Sequence, residues 1–129
     1  MPAPSAHHLA LLVSDLEGAE AFYQGLLGLE LVQRHPLPGG GLRSVWLRLG
    51  DALLMLERAD PAQPRRGPEG GGWHLLALAI PPDERAAWET RLAEAGVPLT
   101  GASEFSLYFS DPEGNRLALS HWPAPARAL

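Results

Sequence analysis

Residues 7–32 read HHLALLVSDLEGAEAFYQGLLGLELV, and the succession of patterns inside this stretch decides the fold. Residues 7–13 are a short apolar run of strand length. Ser14 then opens an S-x-x-E box with Glu17, a helix-start signal in which side-chain oxygens satisfy the free N–H groups of the first turn. Leu16, Ala19, Phe22, Tyr23, Leu26 and Leu27 recur at helical spacing and form one apolar face. Gly28 is placed to close the helix in a left-handed cap, and LELVQRH resumes as a strand. Beyond the PLPGGG loop, LRSVWLRL and ALLMLER flank Gly50-Asp51, a hairpin signal. The first half therefore spells βαβββ.

Residues 59–72, ADPAQPRRGPEGGG, form a Pro/Gly-rich linker with no packing face. The pattern then restarts. WHLLALAI is a strand, Pro81 to Ala95 a helix closed by Gly96, and PLTGAS, FSLYFS and RLALSHW supply three more strands. His8-Leu-Ala-Leu matches His74-Leu-Leu-Ala at an offset of 66, the closing glycines lie 68 apart, and the turns Gly50-Asp51 and Gly114-Asn115 lie 64 apart. Such a spacing is an internal duplication. The expected architecture is α+β: one domain of two tandem βαβββ modules, 6–58 and 73–122, whose curved mixed sheets enclose a ligand cavity.

Composition narrows the chemistry. A chain of 129 residues, 46% hydrophobic, suits one compact domain with a full core. With no cysteine there are no disulfides, no thiolate catalysis and no sulfur-ligated metal. All ten basic residues are arginine, so lysine Schiff-base chemistry is excluded. A net charge of −5, with Arg65-Arg66 the only basic doublet, argues against nucleic acid as a partner. No run is apolar enough to span a membrane and MPAPSAHH lacks the pattern of a signal peptide, so the expected location is cytoplasmic.

The segments HHLALLVSDLEGAEAFYQGLLGLELV and LYFSDPEGNRLALSHW, at this separation, resemble the vicinal oxygen chelate superfamily: glyoxalase I, bleomycin- and fosfomycin-resistance proteins and extradiol dioxygenases. The resemblance covers nearly the whole chain. It implies a divalent metal (Zn, Ni, Mn or Fe) held by residues from the first and last strand of each module. The corresponding slots here are His8, Leu54 or Met55, His74 and Ala118, the last in place of the usual Glu. That leaves His8 and His74 as metal ligands of a weak, incomplete set, because two imidazoles fall short of the three protein ligands of a catalytic zinc site.

Among other candidates, Glu57 is the nearest carboxylate to the second slot, Glu113 sits in a solvated turn, and His121 has opposite strand parity to Ala118. The resemblance points the Tyr108 hydroxyl toward a ligand. Trp46 and Arg48 share one face of their strand, where they can stack on or pair with a ligand or cover a dimer surface. Asp111-Pro112-Glu113-Gly114-Asn115 is a turn by composition. The leading expectation is a homodimeric small-molecule-binding protein of the bleomycin-resistance type. The alternative is a metal-dependent lyase, isomerase or dioxygenase using His8 and His74. Module pairing within one chain and between chains are both open.

Overall fold

The computed structural model describes residues 1–62 and 73–126. The chain divides into two compact units, Met1–Arg65 and Arg66–Leu129. Most of the expected linker, residues 63–72, lies outside the described residues.

Unit 1 runs β1 (His8–Val13), α1 (Leu16–Glu20) continuing as a π-helical segment (Ala21–Leu26), β2 (Leu31–Pro36), β3 (Leu42–Leu49) and β4 (Ala52–Arg58). Its sheet order is β1-β4-β3-β2, with β1 parallel to β4 and the other pairs antiparallel. Helix capping differs from expectation. The cap is Asp15, whose carboxylate accepts from the Gly18 backbone N–H at 3.0 Å, while Glu17 pairs with Arg58 at 2.7 Å. Both Ser14 and Asp15 are cap-competent residues. Capping from Asp15 also frees Glu17 to reach the last strand. The helix widens at its end, where the Leu27 N–H donates to Phe22 O at 3.0 Å, and Gly28 closes it at φ +78°.

Unit 2 repeats the plan with β5 (Leu76–Ala79), a 3₁₀ turn (Pro82–Glu84), α2 (Arg85–Glu94), β6 (Gly101–Ala102), β7 (Ser106–Ser110) and β8 (Arg116–Ser120). The order is β5-β8-β7-β6, again with the first and last strands parallel. Both modules thus have the anticipated α+β topology. The strand expected over PLTGAS shrinks to two residues, its approach to β7 begun by the Thr100 N–H on Tyr108 O at 2.8 Å.

Alternation sorts each sheet into a core face and an open face. In unit 1, Val13, Val45, Leu47, Leu54 and Leu56 are buried with Leu16, Ala19 and Tyr23 from the helix. In unit 2 the core-face strand residues Leu107, Phe109, Leu117 and Leu119 are buried, joined by Leu92 of α2. β1 and β5 are each the outermost strand of their own sheet.

Candidate functional site

Cross-strand register builds the open face of unit 1 in rows. His8 stands opposite Leu53, which stands opposite Arg48. Ala10, Met55, Trp46 and Gln33 form the next row, and Leu12, Glu57, Ser44 and His35 the third. Trp46 and Arg48 share this face as expected. The second metal slot resolves to Met55, because Leu54 is fully buried on the helix side. Glu57 is on the open face but one row beyond Met55. Trp46 packs on His35 with ring centroids 4.4 Å apart, and the His35 Nε2 is buried without a hydrogen-bond partner. His8 is exposed at the strand end, its Nδ1 3.0 Å from that of His7. An apolar face carrying the Trp46 ring can stack on a flat ligand.

On the open face of unit 2, Ala77, Ala118, Tyr108 and Gly101 form one row. Ala118 is 2% exposed, packed in the middle of the sheet. The next row along pairs Ser110 with Arg116. Arg116 Nη1 lies 3.1 Å from His74 Nδ1, so the guanidinium donates and the imidazole nitrogen accepts. His74, Thr100, Gly101, Tyr108, Ser110 and Arg116 are among the residues that line a cavity of about 470 Å³. Tyr108 and His74 are therefore brought together in unit 2, while His8, Trp46 and Arg48 belong to unit 1.

The turn before β8 is built around a structural carboxylate. Asp111 is 5% exposed, and its oxygens accept from the backbone N–H groups of Glu113 (2.9 Å) and Asn115 (2.8 Å) and from Asn115 Nδ2 (2.8 Å). Gly114 takes φ +84° within it. His121 faces away from the cavity, as its parity predicts. It is 4% exposed, with Nδ1 2.6 Å from Ala124 O and Nε2 3.0 Å from Arg85 Nη1. Those partners fix the tautomer: Nδ1–H donates to the carbonyl and Nε2 accepts from Arg85. Away from both faces, hydrogen bonds and attraction from Glu20 raise the Arg34 pKa and tie β2 to the helix.

The repeat alignment needs a correction of one residue. Ala10 pairs with Met55, and Ala77 with Ala118, at matching places in the two parallel ladders. The two first strands are thus related by an offset of 67, not 66. Leu75 becomes the counterpart of His8, and His74 the counterpart of His7. A one-residue slip exchanges the faces of a strand, so the two histidines do not hold equivalent positions.

The four slots then carry His8, Met55, Leu75 (or His74 by the unshifted alignment) and Ala118. They do not fit a divalent metal, since a thioether and a methyl group are no donors to a hard cation. Among the described residues, no three His, Cys, Asp or Glu side chains are grouped to hold a metal ion. Arg116, Thr100 and His35 are site residues that the sequence reading passed over. The signal for Arg116 was present, two residues before Ala118 on the same strand face.

The Glyoxalase/Bleomycin resistance protein/Dioxygenase superfamily profile matches residues 5–119. A 2-epi-5-epi-valiolone epimerase from an Actinomyces species is 31% identical, over 96% of this chain and 82% of that protein. The glutathione transferase FosA of Serratia marcescens is 30% identical, over 89% of this chain and 79% of that protein. The crystal structure of TnmS3, an antibiotic binding protein from Streptomyces sp. CB03234, superposes with a TM-score of 0.68 at 28% identity, covering 94% of this chain and 98% of that one. Topology, register and these likenesses agree, and the chain belongs to the glyoxalase/bleomycin resistance protein/dioxygenase superfamily.

Proposed function

We propose that the protein binds a small organic molecule on the open faces of its βαβββ modules and does so without a resident metal. The observation that carries this reading is the donor chemistry of the slots: Met55 and the buried Ala118 stand at positions that the family resemblance implies for metal ligands, and neither side chain is a donor to a hard cation. The face carrying Trp46 and Arg48 in unit 1, and the Tyr108 hydroxyl in unit 2, support binding, and the likeness to an antibiotic binding protein agrees with sequestration. The alternative, a metal-dependent lyase, isomerase or dioxygenase using His8 and His74, draws its support from the enzyme names among the relatives.

Calorimetric titration of Ni²⁺ or Zn²⁺ into tag-free protein separates the two. The natural protein should bind weakly. Ala118→Glu combined with Leu75→His should raise affinity by roughly a hundredfold or more, since the two substitutions add a carboxylate and an imidazole to the donor set of the chain. Tight binding by the natural protein that His8→Ala abolishes would instead favour the metal enzyme.

A further inference from the structure

Resting on that binding reading, we propose that the cavity of unit 2 selects small organic anions, carboxylates or phosphonates, with Arg116 as their anchor. The lining combines one guanidinium with the hydroxyls of Thr100, Tyr108 and Ser110, and among the described residues it contains no carboxylate. Arg34, Arg58 and Arg85 each meet a glutamate within 3.2 Å. Arg116 has no such partner among the described residues, and its one hydrogen bond goes to His74.

That bond matters for geometry. Nη1 is engaged by a ring nitrogen that accepts, which orients the guanidinium plane and leaves the Nε–Nη2 edge free. This edge is the planar fork that meets two oxygens of an oxyacid at once. The nearby Asp111 carboxylate is not a competitor, being committed to the turn by three hydrogen bonds. The chain as a whole carries a net charge of −5, so an acid-free cavity with one cation runs against the protein's overall balance. Local charge, not net charge, sets the ligand class here. The hydroxyls add donors whose hydrogens rotate to suit either a planar or a tetrahedral anion.

The test uses one scaffold with four head groups: benzoate, phenylphosphonate, benzyl alcohol and benzylammonium, titrated calorimetrically at fixed ionic strength. Both anions should bind tighter than the neutral and cationic probes. Arg116→Gln should erase that preference with a loss of about ten- to a hundredfold, as expected for a charge-assisted hydrogen-bond pair. Arg116→Lys should retain part of it, and Arg43→Gln, on an exposed strand position of unit 1, should leave it intact. Equal binding of benzylammonium, or an anion preference surviving Arg116→Gln, overturns the proposal. A charge-diverse fragment set screened by thermal shift distinguishes the two levels. Hits without anion preference reject the anion cavity alone, whereas no hits of any charge reject the binding reading as well.

Discussion

Asp111 illustrates how a residue in a site-like motif serves the scaffold. Its carboxylate is nearly buried and accepts three hydrogen bonds within the turn, two of them from backbone N–H groups. Asp111→Ala should therefore cost about 2–3 kcal/mol and lower Tm by roughly 8–12 °C, whereas Asn115→Ala, removing only one side-chain donor, should cost about 1 kcal/mol. Scanning calorimetry checks the order, and equal losses would contradict it. The turn itself was legible from its Asp-Pro and Gly-Asn pairs, because those residue types act locally. Arg116 and His74 were not paired in advance, because their 3.1 Å contact spans 42 positions and depends on where β5 begins. Met55 was separable from Leu54 only by burial, which a strand whose first five residues are all apolar does not reveal by alternation.

At the scale of elements, the first helix holds three glycines with three different demands. Gly28 sits at φ +78°, a left-handed conformation that a side chain destabilises. Gly18 faces the Asp15 cap, and a Cβ there would collide with the carboxylate that closes the helix start. Gly25 has open space around its position and no such backbone demand. Gly25→Ala should accordingly stabilise by about 0.4–1 kcal/mol, while Gly28→Ala destabilises by about 1 kcal/mol. Gly18→Ala should destabilise by a similar amount, about 1 kcal/mol, through loss of the cap. Urea unfolding midpoints of the three variants measure the signs, and stabilisation by Gly28→Ala would refute the left-handed assignment. Element order was readable throughout, since helix caps, hairpin turns and periodicity repeat in both halves. Register was not. HLALLV and HLLALA are apolar at nearly every position, so residue identity favoured matching the histidines, and only the pattern of burial against Leu54 and Leu117 makes Leu75 the repeat counterpart of His8.

At the scale of the whole molecule, the edges of the sheets are the unresolved demand on the chain's physics. Among the described residues β1 has one hydrogen-bonded neighbour, β4, and β5 has one, β8. Each therefore presents a side on which backbone N–H and C=O groups seek partners, the arrangement that drives strand addition or association. On the open face beside that edge, Leu12 is 70% exposed, an apolar side chain in a row otherwise holding Glu57, Ser44 and His35. Association of two chains would bury such groups symmetrically. We expect a homodimer of 27.8 kDa, twice the 13.9 kDa chain, at micromolar concentration. Leu12→Arg should weaken it at least tenfold by placing a charge where an apolar contact forms, an effect on the order of 1.4 kcal/mol or more. Sedimentation equilibrium reads both quantities. A natural protein that sediments at 13.9 kDa would reject the dimer, and the edge strands would then have to be satisfied within a single chain.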